Sequence, residues 1–401
     1  MKKQWPTECL GSLGEIVSGS TPKTKIEEYW GGDLLWVTPA ELGKGYNGRI
    51  FDTARKLTGS GFESASLRML PPDTVLLTSR APIGKVALSG ADMCTNQGFK
   101  NIVCDRDKLE PEFLYHFLVP RYEQLNALGR GATFKEISKK IVSAIEIPLP
   151  PLEEQRRIVE ILDAAQALID QRKEQLGLMD QLVQSLFYEM FGDPVTNLKR
   201  WKFSPLSEVL TEIVGGKSVG GEDRQIEGGE DAVLKISAVT SGTFLADEYK
   251  VVPKSLVPEK PVRPAQGDLL FSRANTRELV GATCIVDKNY DHLFLPDKLW
   301  KLELNNDRAV ELYLKNLLSH SGFRARFVRV ASGTSGSMLN ISKAKLRSLE
   351  IPLPPIELQT QFAERVEAIE VQKAAMAASL VELETTFQAL MQRAFKGELT
   401  G

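Results

Sequence analysis

One nine-residue stretch occurs twice in this chain and constrains its fold more than any other feature. Residues 147–155 read IPLPPLEEQ and residues 351–359 read IPLPPIELQ, so seven of nine positions are identical at a separation of 204 residues. Proline lacks a backbone donor and pushes the preceding residue out of the helical region, yet it is well tolerated in a first helical turn. The stretch therefore predicts the end of a globular unit and the start of a helix, in both halves of a duplicated chain.

Each copy is followed by apolar residues at heptad spacing. Nine of the ten seam positions are apolar in both copies, and the exceptions are Arg172 and Lys373. This pattern predicts two coiled-coil helices that pack against each other, each about 34 residues or about 50 Å long. The predicted seam includes Ile158, Leu162, Ile169, Leu176, Met179, Val183, Leu186, Phe362, Val366, Ile369, Met376, Leu380, Leu383, Phe387 and Leu390.

The orientation of the two helices can also be predicted. Arg172 and Lys373 are expected toward the start of their helices, so an antiparallel pair would hold these two charges at opposite ends. A parallel pair would bring them together, and the antiparallel arrangement is therefore favoured. The alternative interpretation of the proline stretch, a linker or an SH3-type ligand, does not account for the heptads that follow it.

The length of 401 residues predicts more than one domain. The repeat divides the chain into a globular region (1–147), a helical region (148–192), a second globular region (193–351) and a C-terminal helical region (352–401). The overall charge of −2 hides a modest segregation, because residues 1–150 and 193–350 carry +2 and +3 whereas residues 151–192 and 351–401 carry −4 and −3. The globular regions are thus mildly basic and the helices acidic, which by itself is weak evidence for nucleic-acid binding.

Cysteine and histidine usage argues against a metal site and against histidine-based catalysis. The four cysteines show no metal-ligand spacing, and the three histidines are scattered. Neither a secretory signal nor a run of about 18 apolar residues is present. The sequence therefore predicts a cytoplasmic protein with reduced thiols, no metal and no membrane contact.

The two globular regions share a framework and differ in their loops. Strands are predicted at 34–38 and 75–78, and helices at 111–128 and 311–319. The segment 76–80 is matched with 269–273, which aligns Ser79-Arg80 with Ser272-Arg273 at the end of a strand. Glycine-containing loops at 129–135 and 333–337 each precede an Ile-Ser pair at the 204-residue offset. Two copies of one α+β fold with different loop surfaces are suited to recognising two different targets.

Catalytic signatures are incomplete wherever they begin. The stretch 215–218 ends like a phosphate-binding loop, but Thr211 stands where the motif needs glycine. Pro296-Asp297 followed by 303–305 resembles a nuclease core, but Asn305 replaces the lysine. Neither a GxGxxG motif nor an amino-methyltransferase tetrapeptide occurs. The chain is therefore predicted to be non-catalytic.

Binding chemistry remains, and arginine suits it because its planar fork matches guanine O6 and N7 or a phosphate. A framework salt bridge is the competing interpretation for Arg80 and Arg273, and the sequence leaves both open. The candidate DNA-contacting residues are Thr21, Lys23, Arg80, Asn96, Gln97, Arg130 and Lys135 in the first region, and Lys217, Arg273, Asn275, Arg277 and Lys298 in the second.

Taken over its whole length, the chain resembles the specificity subunit of type I restriction–modification enzymes. The resemblance is carried by IPLPPLEEQRRIVEIL at 147–162 and IPLPPIELQ at 351–359, and it is supported by 19–22, 96–98 and the two Ile-Ser pairs. The second region lacks the Thr-Pro and Asn-Gln elements of the first.

The resemblance implies two target-recognition domains that each read one half of a bipartite double-stranded DNA site. It implies an antiparallel coiled coil that spaces them with pseudo-twofold symmetry, and two methyltransferase subunits docked on the helices. S-adenosylmethionine would be bound by those partners, which would methylate adenine at N6 in each half. The resemblance leaves open whether two ATP- and Mg-dependent motor–nuclease subunits join for cleavage; this chain would supply no catalysis and bind no cofactor.

Two other classes remain open at this stage. One is the recognition subunit of a related system in which methylase and nuclease share a polypeptide. The other is a coiled-coil interaction protein that does not bind DNA, which explains the helices but not the duplicated domains with divergent loops.

Overall fold

The computed structural model of this chain describes residues 5–43, 45–130, 135–332 and 338–399. The chain packs as two compact units, one of Met1–Lys173 with Ala378–Gly401 and the other of Glu174–Ala377. Each unit thus holds one predicted globular region and parts of both long helices. Residues 131–134 and 333–337 of the predicted glycine-containing loops lie outside the described residues.

The first unit consists of short strands and helices that precede a long helix. Its strands are β1 (Thr7–Cys9), β2 (Gly14–Ser18), β3 (Trp30–Val37), β4 (Tyr46–Ile50), β5 (Lys56–Leu57), β6 (Val75–Leu77), β7 (Val86–Ser89), β8 (Met93–Thr95), β9 (Lys100–Cys104) and β10 (Glu146–Pro148). Its helices are α1 (Leu10–Leu13), α2 (Gly59–Ser64), α3 (Pro111–Leu118), α4 (Tyr122–Ala127), α5 (Lys139–Ser143) and the first part of α6 (Leu152–Phe191).

These strands form three sheets. The main sheet has the order β2-β9-β6-β7-β4, the second has the order β5-β3-β8, and β1 pairs with β10. The β1–β10 pair places Glu8 opposite Ile147, so the start of the unit is bonded to the proline stretch that ends it.

The second unit repeats this plan. Its strands are β11 (Phe203–Pro205), β12 (Leu210–Gly215), β13 (Ala232–Leu234), β14 (Tyr249–Val251), β15 (Leu269–Ser272), β16 (Ala274–Asn275), β17 (Thr283–Ile285), β18 (Leu293–Phe294), β19 (Leu299–Leu304), β20 (Leu339–Asn340) and β21 (Glu350–Pro352). Its helices are α7 (Glu311–Ser319), α8 (Ser321–Val330), α9 (Lys343–Arg347) and the first part of α10 (Ile356–Phe395).

The sheet orders are equivalent between the units. The order β12-β19-β15-β17 corresponds to β2-β9-β6-β7, and β14-β13-β18 corresponds to β5-β3-β8. Among the described residues, the main sheet of the second unit has no counterpart of β4. The predicted α+β class with two similar domains and two long helices is confirmed.

Each unit has a core in which a sheet, a short helix and both long helices meet. In the first unit Phe113 of α3 lies 5.2 Å, centroid to centroid, from Phe395 near the end of α10. In the second unit Phe187 near the end of α6 lies 5.8 Å from Tyr313 of α7 and 5.7 Å from Phe362 near the start of α10. The start of α6 thus shares a core with the end of α10, and the end of α6 with the start of α10, as in an antiparallel pair.

The seam residues of both helices face inward. Every predicted seam residue is buried or half-buried, whereas the helix positions between them are mostly exposed. Ion pairs flank the seam in both units, Lys173 with Glu384 at 2.9 Å and Lys373 with Asp180. Because burying apolar side chains is the main stabilising term, this stripe accounts for helix pairing better than the flanking ion pairs do.

Three sequence-based expectations need correction. Both long helices have 40 residues and are about 60 Å long rather than about 50 Å, because the helix begins directly after the proline pair. Arg172 is the 21st residue of α6 and Lys373 the 18th of α10, so neither lies toward a helix start and the charge argument for orientation is wrong. The helix predicted at 111–128 breaks at Val119–Arg121, where Pro120 cannot continue the hydrogen-bond ladder.

A buried glutamine fixes each corner at which a domain joins its long helix, and we call this place the glutamine corner. The Gln155 side chain, 0% exposed, accepts from the Glu110 N–H at 2.9 Å and donates to the carbonyls of Lys108 and Pro150, both at 2.9 Å. Gln359 repeats this pattern. It accepts from the Val310 N–H at 3.1 Å and donates to two carbonyls, those of Arg308 and Pro354. One amide thus holds the helix start, the proline stretch and the loop before the short helix together.

We expect Gln155→Ala to lower the free energy of unfolding of the first unit by about 2–4 kcal/mol, because it leaves a buried N–H and two buried carbonyls without partners. Urea unfolding followed by circular dichroism measures this change. Gln171→Ala, at an exposed position of the same helix, is the control and should change stability by less than about 0.5 kcal/mol. Equal effects of the two substitutions would contradict the role assigned to the buried amide.

Candidate nucleic-acid interface

In the first unit, the loop after β2 meets the turn after β8, and we call this contact the junction of the unit. The Ser20 N–H donates to the Thr95 carbonyl at 3.0 Å, and the Thr21 hydroxyl donates to the side-chain oxygen of Gln97. Gly19 permits this approach, because a Cβ at its position would lie 1.9 Å from the carbonyl oxygen of Asn96. The structure therefore brings the predicted residues Thr21 and Gln97 together at the surface.

Asn96 shapes this turn. Its side-chain oxygen accepts from the Gly98 N–H at 2.8 Å, the pattern of an Asx turn. Asn96 is half-buried, whereas Gln97 and Lys23 are exposed. The Asn96 carboxamide oxygen thus has a structural partner. Among the predicted residues around this turn, Gln97 and Lys23 are the exposed ones.

Glu136 lies at the centre of a charged cluster beside this turn. Its carboxylate accepts from Arg80 Nε and from Lys100 Nζ, each at 3.0 Å, and the Lys100 side chain is 9% exposed. Burial alone would raise the pKa of Glu136, but hydrogen bonds from Lys100 and Arg80 outweigh it and hold the pKa below its ordinary value. Arg80 thus forms the framework salt bridge that the sequence left as the alternative.

Arg130 and Lys135 lie beside this cluster, because the chain next to each of them is joined to Glu136. The backbones of Arg130 and Glu136 exchange two hydrogen bonds, at 3.0 and 3.1 Å, and the side chains of Arg130 and Lys135 are exposed. The predicted residues Arg130 and Lys135 are therefore placed next to the Arg80–Glu136 pair, with residues 131–134 between them outside the described residues.

The second unit builds the same junction from other residues. The Ser218 hydroxyl donates to the Asp297 carboxylate and accepts from the Asp297 N–H at 3.3 Å, in the place of the Thr21–Gln97 pair. Gly216 is equivalent to Gly19, because a Cβ there would lie 1.8 Å from the Leu295 carbonyl oxygen. The backbone is therefore kept while the side chains that it presents change.

Arg273 is held by this second junction at every guanidinium nitrogen. Its Nε donates to the Asp297 carbonyl at 2.7 Å, its Nη2 to the Asp297 carboxylate at 2.9 Å and its Nη1 to Asn340 at 2.7 Å. Burial would raise the pKa of Asp297, but hydrogen bonds from Ser218 and Arg273 together hold it below its ordinary value. As with Arg80, the structure contains the framework interaction.

The match between Ser79-Arg80 and Ser272-Arg273 is wrong by one residue. The Ser79 N–H donates to the Gly98 carbonyl, and the Ser79 carbonyl accepts from the Ile137 N–H. In the second unit the backbone of Arg273 makes the same two bonds, with the Lys298 carbonyl and the Ile341 N–H. Arg80 bridges to Glu136 just as Ala274 pairs with Asn340. Because successive side chains of a strand point to opposite faces, Arg80 and Arg273 leave their strands in opposite directions.

Two of the other candidates of the second unit adjoin the junction, and the other two lie on or just after β16. The Lys217 N–H donates to the Leu295 carbonyl at 3.1 Å and the Lys298 carbonyl accepts from the Arg273 N–H at 3.0 Å, so both residues adjoin the junction. Asn275 lies on β16 with its side-chain oxygen bonded to the Thr276 N–H at 2.8 Å, and Arg277 follows at an exposed position.

Sequence reasoning missed the residues that organise the two junctions. Lys100 and Glu136 in the first unit, and Ser218 in the second, were not among the candidates, and Asp297 entered only as part of an incomplete nuclease motif. Glu136 directly precedes the repeated Ile-Ser pair, and the 204-residue offset that links the pairs also links Glu136 to Asn340. That offset was the available signal.

The described ranges contain no group of three or more His, Cys, Asp or Glu side chains placed to hold a metal ion. Within the same ranges, no helix has both the length and the apolar run needed to cross a bilayer.

Comparison with known proteins decides the family. The family model for the type I restriction modification DNA specificity domain matches residues 2–177 and again residues 199–385. This chain belongs to that family. The two matches coincide with the two halves of the repeat, and membership favours DNA recognition over the interpretation as a coiled-coil protein that does not bind DNA.

Individual members of the specificity family are similar over most of the chain. The MjaIX specificity subunit of Methanocaldococcus jannaschii is 32% identical over 77% of this chain and 65% of its own length, which is just under two thirds. The EcoKI specificity subunit of Escherichia coli K12 is 25% identical over 88% of this chain and 80% of its own length.

Solved structures share the fold. A chain from a study of complex assembly and conformational transition in a type I R-M system matches with a TM-score of 0.59 and 24% identity, covering 99% of this chain and 98% of that one. The type I restriction-modification S subunit from M. genitalium matches with a TM-score of 0.53 and 16% identity, covering 98% and 96%.

We expect Glu136→Gln to destabilise the first unit by about 1–3 kcal/mol at pH 7, because the buried ammonium of Lys100 loses its anion. The folded pKa of Glu136 is depressed, so its contribution is complete above the unfolded pKa of about 4.3 and is lost as pH falls toward the folded pKa. The stability difference between wild type and variant should therefore shrink on acidification.

Urea unfolding at pH values from 7 to about 3 measures this convergence. Glu15→Gln provides the control, because the Glu15–Arg68 pair is half exposed on both sides and should change stability less than Glu136→Gln does. A Glu136→Gln effect that is independent of pH would contradict the assignment of the ion-pair cluster.

Proposed function

We propose that this chain is the DNA sequence-recognition subunit of a type I restriction–modification complex and that each unit reads one half of a bipartite site. The observation that carries the proposal is the duplicated junction. Thr21 with Gln97 and Ser218 with Asp297 occupy equivalent backbone positions with different hydrogen-bonding groups. A shared framework with different polar side chains is what reading two different half-sites requires, because base identity is read by the donors and acceptors at a groove surface.

The charge distribution supports this assignment. The globular regions carry the positive excess, and their exposed cations include Lys23, Arg130, Lys135, Lys217 and Arg277. Phosphate contacts by such residues would supply affinity and position, leaving sequence discrimination to the groups at the junctions. The chain would contribute recognition, whereas adenine-N6 methylation would belong to a partner that takes the base out of the stack.

The long helices would space the two units and hold the methyltransferase subunits. Both helices expose large apolar side chains outside the seam, among them Leu168, Leu178, Leu182, Val371 and Val381. Exposed apolar groups on otherwise acidic helices indicate protein contacts. Two methyltransferase subunits carrying S-adenosylmethionine would dock there, and two ATP- and Mg-dependent restriction subunits would join for cleavage, all in the cytoplasm.

Co-expression of this chain with its neighbouring methyltransferase subunit, followed by single-molecule mapping of methylated adenine, tests the proposal. We expect a split motif with a fixed gap. Exchange of residues 1–146 for the first domain of another family member should then change one half of the motif and leave the other half and the gap unchanged. Absence of new methylation, together with failure of the two proteins to co-purify, would overturn the proposal.

The spacing role makes a separate prediction. Insertion of four residues in the middle of both α6 and α10 lengthens the helix pair by about 6 Å, just under two base-pair steps of about 3.4 Å. We expect the gap in the methylated motif to grow by about one or two base pairs, with both half-motifs retained.

The control is a four-residue insertion at the exposed loop of Gly228 and Gly229, which leaves the helices intact and should leave the gap unchanged. A gap that stays constant after the paired helix insertions would show that helix length does not set the spacing.

A further inference from the structure

One exposed arginine of the first unit differs from Arg80 and Arg273, because no described residue forms a hydrogen bond or an ion pair with its guanidinium fork. The guanidinium carbon of Arg55 lies 3.6 Å from the ring centroid of Trp30, and Arg55 is exposed. Within the described ranges it makes no ion pair. Because stacking uses the face of the guanidinium, the N–H groups along its edges stay available for a partner in the same plane.

A bulge in β3 aims Trp30 at this position. Trp30 and Leu34 both pair with Leu57, so the residues between them form an irregular segment of the strand. Gly31 there has a φ of +82°, and a Cβ on Gly32 would lie 2.4 Å from the Leu57 carbonyl oxygen. Bulges of this kind redirect a side chain, and here the redirected side chain is the platform under Arg55.

The platform is retained at an energetic cost. Trp30 Nε1 is buried and has no hydrogen-bond partner among the described residues, which costs about 1–3 kcal/mol. Phenylalanine would avoid this cost. What tryptophan adds is the strongest cation–π face among the aromatic side chains, so the position is suited to holding a cation.

This stack adjoins the first junction. Trp36, whose ring centroid is 5.4 Å from the guanidinium carbon of Arg55, donates its indole N–H to the Ser20 carbonyl at 3.1 Å. Ser20 is followed by Thr21, which bonds to Gln97. Arg55 is therefore placed one side chain away from the loop that carries the candidate recognition residues.

Among the described residues, the cation at the equivalent position of the second unit is ion-paired. Extending the β3–β5 register by one residue sets Arg55 opposite Trp36, and the equivalent pair in the second unit is Lys250 opposite Val233. Lys250 has no aromatic platform from Val233, and its ammonium pairs with Asp223 at 3.2 Å. The same backbone position is thus neutralised in one unit and kept free in the other.

We propose that Arg55 reads a guanine in the half-site of the first unit, with Trp30 as its positioning residue. This inference rests on the proposed DNA-recognition function. A guanidinium fixed in plane matches the O6 and N7 acceptors of guanine in the major groove, whereas a phosphate contact needs no fixed plane. The second unit would read its half-site without using Lys250, which is ion-paired with Asp223 at the equivalent position.

The test uses purified complex of this chain with its methyltransferase subunit and duplexes that carry the mapped motif. Each guanine of the first half is replaced in turn by 7-deazaguanine, which removes the N7 acceptor, and by adenine. With the wild-type complex we expect one guanine at which adenine lowers the methylation rate by roughly 5- to 150-fold, with a smaller loss for 7-deazaguanine. Arg55→Ala should abolish both losses at that guanine only.

Conservative and control variants separate base reading from other roles. Arg55→Lys should fail to restore discrimination, because lysine lacks the fork, and Trp30→Phe should retain more discrimination than Trp30→Ala. Lys250→Ala, at the equivalent ion-paired position, should leave the motif unchanged. The second half-motif serves as the assembly control, because it should persist in every variant.

Three results would overturn the inference while leaving the proposed function standing. These are a first half-motif without a G·C pair, a wild-type complex insensitive to 7-deazaguanine at every guanine, or an Arg55→Ala variant that methylates all sequences more slowly and is restored by lysine. The last result would identify a phosphate contact. A wild-type complex that produces no split motif would instead count against the proposed function itself.

Discussion

The structure depends on the two buried carboxamides that join each domain to its helix. Gln155 and Gln359 each satisfy an N–H and two carbonyls that would otherwise be buried without partners. The prolines cannot donate backbone hydrogen bonds. The glutamine corner therefore needs a side chain that supplies donors and an acceptor to the buried backbone groups around it. The seven identical positions of the repeated stretch include this glutamine and the proline pair before the helix, and the carbonyls of that pair accept hydrogen bonds from the glutamine side chain and backbone.

The glutamine corner fixes each domain in position on the helix that follows it. In each unit the helix that starts at the corner and the end of the other long helix enter the same core as the short helix α3 or α7. A core packed this closely does not deform gradually, so a domain and its helical segments behave as one compact piece. Each unit therefore holds its junction loops at a defined place along its helical segments. The proposed role of the helices in setting the spacing requires this rigidity.

The sequence predicted what repeats and failed where equivalence depends on a single residue. Proline, heptads and the 204-residue offset are strong signals because chain stiffness and helical periodicity act locally. The Ser-Arg alignment was wrong because a one-residue slip in a strand is invisible in a short apolar segment and reverses the side-chain direction. The Arg55–Trp30 stack lay beyond reach for a similar reason, since it depends on a bulge that brings Trp30 and Leu34 to the same partner.

The junction residues vary as sets rather than singly. Where the first unit has the buried Lys100 with Glu136, the second has Trp300, stacked 6.2 Å from Phe271, and it supplies its cation from the strand position of Arg273. Replacing one member alone would bury a charge without its partner, which costs more than the pair contributes. New recognition in this fold is therefore reached more readily by exchanging an entire domain at the glutamine corner than by exchanging individual polar residues, and the duplicated corner provides the same exchange point in both halves of the chain.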